Sequence, residues 1–316
     1  MADTAYVSPL AQSERFMPWL VDVCKRERIQ VVLSGSELVL EALAAHANMI
    51  REQTGAICVV SPPEVLRRGR DKLETCRWLQ DCGLPAPRFA QLSDSTAVDA
   101  LVSGCGFPLI AKPRFGKGSD AILTIRDERH LAEVVGATEM LLPHLVTEML
   151  LQEHLGDQDE EYTAGCFCDR TGELKGTIVM RRGLHTGTTA RAELGSFPEV
   201  SEMAGAIVAR LRPLGPCNVQ LRQRDGQPVP FEINPRFSGT TAVRARMGFN
   251  EVDAAIRHFV LGEDAPSLAG VKTGIALRYW NEVYVPSDAV AALRRDGRLE
   301  DVGALDVQVE RWGCGP

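Results

Sequence analysis

The stretch NVQLRQRDGQPVPFEINPR, residues 218–236, constrains this chain most. Two short apolar runs, 218–223 and 229–233, flank a turn at Asp225-Gly226-Gln227, which is the signature of a β-hairpin. Side chains alternate along a strand. Gln220 therefore lies on one face of its strand, and Glu232 and Asn234 share one face of the other. Three side-chain oxygens can converge there. A hard cation such as Mg²⁺ takes few carboxylates and keeps positions for phosphate oxygens and water. Asn-Pro closing an apolar strand, with Arg236 next, is an unusual strand ending, and Arg236 can project to the same side. The same pattern also fits a polar strand face wetted by solvent.

The other 297 residues set the frame around that hairpin. A chain of 316 residues is more than one average domain and fewer than three. It carries 35 Lys and Arg against 42 Asp and Glu, a net charge of −7. That balance argues against nonspecific binding to nucleic acid or to an anionic membrane. It leaves room for a phosphate ligand, which needs only a few local donors. No basic and apolar leader opens the chain, and no run of 18 apolar residues appears, so a cytoplasmic protein is expected. The nine cysteines include no CxxC pair and no zinc spacing, and they read as free thiols.

Residues 28–33 (RIQVVL) and 56–60 (AICVV) read as buried strands, with a periodic helix over 37–51 between them. Strand, helix, strand predicts a small α/β layer at the front. A helix over 71–81 starts at Asp71, with Glu74 completing a capping box, and GLPAP at 83–87 ends it. Residues 109–112 and 121–125 form a second hairpin around a glycine-rich tip. Further strands are expected over 162–168, 176–180 and 275–279, and helices over 127–135, 199–214 and 250–261.

Three more places carry chemistry. Lys112 ends a strand and is followed by Arg-Phe-Gly-Lys-Gly-Ser, whose consecutive backbone N–H groups make a nest for phosphate oxygens. The spacing is not that of a Walker A loop. It also suits an ordinary tight hairpin. Residues 152–165 (QEHLGDQDEEYTAG) fit a solvated acidic turn or a hinge that reads a purine edge. Residues 180–193 read as a loop whose arginines, Arg181 first and Arg191 second, could pair with a substrate carboxylate. His185 in the same loop is a candidate base or merely an exposed side chain.

In this order the pieces resemble the ATP-grasp superfamily, nearest its carbamoyl-phosphate-synthase-like branch. The resemblance rests on Asp71-Lys72 with GLPAP, FPLIAKP at 107–113, Glu161-Tyr162-Thr163, Asn218-Val219-Gln220 and FEINPRFSG at 231–239. It covers residues 28–261. It implies an α/β (α+β) fold in which two α/β subdomains clasp ATP, preceded by a shortened Rossmann-like domain. The implied divisions are 1–70, an ATP-grasp unit over 71–265 with its lid at 88–152, and an extension over 266–316. Lys72 and Lys112 would contact the phosphates, with Gly116, Gly118 and Ser119 as the lid loop. Glu153 and the backbone of Leu155 would hold adenine, and Glu161 the ribose. Gln220, Glu232 and Asn234 resemble ligands for magnesium or manganese. Arg236 would neutralise the transferred phosphoryl group, and Arg181 would hold the acid.

The resemblance implies an ATP-dependent carboxylate–amine ligase that activates a small acid, such as an amino acid or peptide, as an acyl phosphate. A small-acid kinase and a noncatalytic ATP-binding module are the alternatives. The implied partners are ATP and small carboxylate and amine substrates, with no nucleic acid and no membrane. The family is often dimeric, so a homodimer is one implied assembly. Two departures stand out: a single strand–helix–strand unit precedes the helix of Lys72, and the metal trio holds one carboxylate.

Overall fold

Parallel strands need a crossover, and the first part of the chain supplies one in its simplest form. The computed structural model describes residues 3–116, 122–156, 161–268, 272–279, 283–300, 302 and 308–309. After β1 (Ala5–Tyr6) and α1 (Phe16–Arg26), β2 (Val31–Val32) and β3 (Ile57–Cys58) pair in parallel across α2 (Glu37–Thr54). Gly55 closes α2 in the left-handed conformation, and its N–H bonds back to Arg51. Val21, Cys24, Leu43, Ile50 and Ala56 form the core of this layer.

Two helices then bridge to the rest. Proline opens α3 (Pro63–Arg70), where its missing N–H is harmless. Asp71 caps α4 (Lys72–Asp81), accepting from the N–H groups of Leu73 and Glu74. A four-stranded antiparallel sheet follows. Its strands are β4 (Phe89–Gln91), β5 (Leu109–Pro113), β6 (Leu123–Ile125) and β7 (Met149–Glu153), in the order β4-β7-β5-β6. The helices α5 (Ser95–Cys105) and α6 (Glu128–Leu141) belong to this layer, whose core includes Leu101, Leu109, Ala111 and Leu151.

The second sheet has six antiparallel strands. They are β8 (Glu161–Cys168), β9 (Leu174–His185), β10 (Thr188–Leu194), β11 (Gly215–Arg224), β12 (Gln227–Asn234) and β13 (Gly274–Leu277), in the order β12-β11-β8-β9-β10-β13. Between β10 and β11, α7 (Pro198–Leu211) packs Ile207 and Val208 on the back face, against Ala164, Cys166, Val179 and Val219. On the front face, α8 (Thr241–Arg246) and α9 (Glu251–Ala255) cover one half. There Phe167, Ile178 and Met180 meet Phe249, Ala254 and, from the first layer, Val59. The other half of the front face is polar.

A fully buried ion pair, Arg244 with Glu251, anchors α8 and α9 to the front of the sheet. Arg244 also donates to Asn218. It lies against Gly165, where a Cβ would come within 2.3 Å of the guanidinium carbon, so only glycine fits there.

Several elements differ from the sequence reading. Residues 180–193 are not a loop: β9 and β10 form a hairpin turning at Thr186-Gly187. The polar half of β9 hides a strand, because its charges pair across the sheet. The helix expected over 199–214 stops at Leu211. Arg212 turns left-handed before Pro213, where proline disfavours helix in the preceding residue. The helices α1, α3 and α5 lie outside the sequence expectations; they are short, at 11, 8 and 11 residues. The tail adds β13, β14 (Val283–Tyr284), α10 (Ser287–Asp296), β15 (Arg298–Leu299) and β16 (Gln308–Val309). β15 pairs with β1, joining the two ends of the described chain. The eight cysteines among the described residues are free.

Candidate active site

The hairpin that opened the sequence reading forms as β11 and β12. Asp225 and Gly226 both take positive φ, the two-residue turn that matches the strands' twist. Gln220 sits opposite Glu232, and Asn218 opposite Asn234. Their side chains meet on the polar front face. Glu232 Oε1 accepts from Asn234 Nδ2 at 2.9 Å and from Gln220 Nε2 at 3.4 Å. Asn234 Oδ1 accepts from Arg236 Nη2 at 3.0 Å. The register slips by one residue after Gln220. Phe231 is the extra residue of that bulge, and its ring lies 5.6 Å from Lys112 Nζ and 5.8 Å from the Arg222 guanidinium.

Lys112 reaches this site from the smaller sheet. Its buried ammonium donates to Gln152 Oε1 on the adjacent β7 at 2.7 Å. Burial pushes its pKa down from the ordinary 10.5 to about 8, partly offset by Cys76 and Glu232. Lys72, at the start of α4, donates to the carbonyl of Gly116 at 3.0 Å. Gly116 has φ +114, which suits glycine alone. Gly118 and Ser119 lie outside the described residues. Asp71 ties this corner together: besides capping α4 it binds Arg114 through Nε at 3.1 Å and Nη2 at 2.5 Å.

The two hinge carboxylates are held by arginines. Glu153 Oε1 accepts from the Arg88 N–H at 2.8 Å and from Arg224 at 2.5 Å, linking β7 to β11. Glu161 is 2% exposed. Its Oε2 accepts from Arg222 at 2.9 Å, and its Oε1 from Arg182 at 2.9 Å through Nε. Leu155 is buried beside Gly156, whose carbonyl accepts from Arg222 at 3.3 Å.

The expected acid-binding residue is displaced. Arg181 pairs in register with Tyr162, whose side chain packs in the back-face core, so Arg181 points away from the oxygen trio. It binds Glu193 at 2.8 Å, as Arg191 does at 3.2 Å. Arg182, one residue on, faces the trio and donates to Gln220 Oε1 at 2.9 Å. His185 is exposed beside the β9–β10 turn. Sequence reasoning missed Arg182, Arg222, Gln152 and Glu37. For Arg182 the signal was parity, since it lies cross-strand from Glu161, but only once β9 is known to be a strand; Gln152 and Glu37 come from other elements and carry no such local signal.

A family model described as ATP-grasp in the biosynthetic pathway with Ter operon matches residues 146–283. The carbamoyl phosphate synthase large chain of Kineococcus radiotolerans is 26% identical over 263 residues, covering 78% of this chain and 23% of its own length. The chain thus spans about a quarter of the curated relatives it matches. Among solved structures, the biotin carboxylase of Campylobacter jejuni superposes with a TM-score of 0.67 at 14% identity, over 84% of this chain and 62% of that one. The L-amino acid ligase of Bacillus licheniformis does so with 0.59 at 18%, over 79% and 61%. The chain is a member of the ATP-grasp superfamily. Its mixed α/β architecture is the ATP-grasp fold.

In this ATP-grasp protein the oxygen trio fits a divalent cation by donor chemistry. Glu232 offers one carboxylate, and Gln220 and Asn234 offer amide oxygens, all hard ligands. Among the described residues no group of three or more His, Cys, Asp or Glu side chains gathers elsewhere to hold a metal. No described helix is long and apolar enough to cross a membrane.

Proposed function

We propose that this ATP-grasp protein is an ATP-dependent carboxylate–amine ligase. The supporting observation is the convergence of Gln220, Glu232 and Asn234 on a face that buried Lys112 approaches from the other sheet. A carboxylate is a poor electrophile. Attack of its oxygen on the γ-phosphorus of ATP, with cleavage of the bond to the β-phosphate oxygen, gives an acyl phosphate and ADP. An amine then attacks the acyl carbon, loses a proton, and expels phosphate to leave an amide.

The chain's part is positioning and charge neutralisation. Lys72 and Lys112 hold phosphate oxygens, with Gly116, Gly118 and Ser119 covering them. Arg236 steadies the transferred group. Glu153 and the Leu155 backbone face the adenine and Glu161 the ribose, with the arginines that now hold these carboxylates exchanging partners. Gln220, Glu232 and Asn234 hold Mg²⁺ or Mn²⁺, which when bound neutralises phosphate charge. Arg182 takes the acid-binding part first given to Arg181. Residues 71–265 form the catalytic unit with its lid at 88–152, residues 1–70 contribute substrate contacts, and residues 266–316 pack against the core.

ADP release from Mg²⁺-ATP against pooled acids, with and without hydroxylamine, tests this. Acid-dependent release with hydroxamate formed is the expected result. Hydrolysis indifferent to any added acid would overturn it. Similarity to the synthase large chains supports a second reading, a small-acid kinase, in which the phosphorylated acid accumulates and no amine is consumed.

A further inference from the structure

Beside the oxygen trio, the front layer meets the large sheet at a second charged cluster. Glu37 and Glu41 stand one turn apart on α2. Glu37 Oε1 accepts from Arg236 Nη2 at 3.1 Å, and Glu41 pairs with Arg70. These four side chains line a small cavity floored by Leu40 and Ile233. Its free space takes about one water-sized group. The floor cannot deepen. A Cβ on Gly69 would lie 2.6 Å from the Ile233 carbonyl oxygen, so α3 already rests on the end of β12. Arg236 Nε is buried here without a hydrogen-bond partner.

The cluster is balanced, two carboxylates against two guanidiniums. Adding a net charge to a half-buried balanced site is costly, whereas a ligand carrying both signs replaces one pair by two. Arg236 also touches Asn234, so a carboxylate on Arg236 lies beside the trio. A cation attached close to that carboxylate would then face Glu37, and the water-sized space matches an ammonium. A second carboxylate or a phosphate there would face Glu37 with like charge.

We infer that Glu37 recognises an amino group on the acid that is activated, so that the acid is an α-amino acid bound as a zwitterion between Glu37 and Arg236. The inference rests on the ligase reading of the same site. Its side chain points out of the cavity, since the space beside Glu37 holds no more than the ammonium.

The test pairs each common amino acid with its 2-hydroxy and desamino analogues, in the hydroxamate assay and in calorimetry with Mg²⁺ and a nonhydrolysable ATP analogue. The preferred amino acid is expected to exceed its analogues by about 100-fold in kcat/KM, because the analogue leaves a half-buried charge unmatched. Glu37→Gln should collapse that ratio to below about tenfold, mainly through KM, and Glu37→Asp should restore part of it. Thermal denaturation of both variants reports whether they fold. Equal turnover of a desamino acid, or an unchanged ratio in Glu37→Gln, overturns the inference while leaving the ligase reading standing. Amino acid binding that depends on Glu37, with no turnover of any acid, keeps the zwitterion site but sinks the ligase reading and, with it, the claim that this amino acid is activated. Absence of any amino acid binding overturns the inference.

Discussion

Glu161 and Glu232 lie on the same face of the same sheet, one strand apart, and their surroundings are opposite. Two guanidiniums grip Glu161, one on each oxygen. Glu232 is held on one oxygen by two neutral amides. In the ligand-free protein the first carboxylate ties β8, β9 and β11 together and meets a ribose only by exchanging those partners. The second meets two amide donors and no guanidinium, which leaves its other oxygen open on the polar face. A carboxylate's partners, more than its position on a polar face, decide whether it serves the fold or a ligand.

The largest effect expected from breaking this contrast is on Glu232. Glu232→Gln keeps the shape and both amide contacts but removes the charge, and acid-dependent ADP release should fall by about 1000-fold, or about 4 kcal/mol of barrier. Its urea midpoint should barely move. Glu161→Gln should cost more stability and less activity than Glu232→Gln, with its activity loss read in the KM for ATP. It strands Arg182 and Arg222, whose side chains are only 11% and 16% exposed, and should lower unfolding free energy by about 3 kcal/mol in urea titrations. If the two substitutions give the same balance of activity and stability loss, the distinction is wrong.

Lys112 sharpens the comparison through pH. Its pKa is about 8 in the folded protein and 10.5 ordinarily. Between these values the unfolded chain binds the extra proton, so the ligand-free protein gains stability as pH rises through this window. Phosphate binding needs the charged ammonium, so ATP affinity should fall over the same range. Calorimetry and urea melts from pH 7.5 to 10 should show the two trends with opposite sign, and Lys112→Met should flatten both.

The smallest effect should come from the other face. Arg181 is 40% exposed and paired with Glu193. Arg181→Ala should change turnover by less than about threefold and stability by less than about 1 kcal/mol. Arg182→Ala, one residue along, should reduce turnover clearly more in the same assay. A larger loss for Arg181→Ala would reverse the assignment of faces.

That reversal of neighbouring arginines marks where the sequence stops being legible. Period-two alternation placed Gln220, Glu232 and Asn234 together because both strands of their hairpin were visible, with a turn that fixes the register. For 180–193 no register was visible. Half of β9 is polar, and its polarity reflects pairing across the sheet instead of solvent. Asp71 was readable as a cap because capping is local, but its second partner, Arg114, comes from just beyond β5, 43 positions away. Glu37 looked like an ordinary first-turn residue of an amphipathic helix. Its contact with Arg236 spans 199 positions.

The sequence by itself determined the hairpin of the oxygen trio, the capped start of α4, the lysine at the end of β5 and the α/β layer in front of them. Each follows from residues within about 30 positions of one another, where backbone sterics and alternation act. Only the tertiary structure decided which charges remain available. Glu153 and Glu161 met arginines from other strands, Lys112 lost solvent against Gln152, and Arg182 rather than Arg181 came to contact Gln220. Charge pairing and burial depend on which elements pack together, and that is fixed by the sum of the cores.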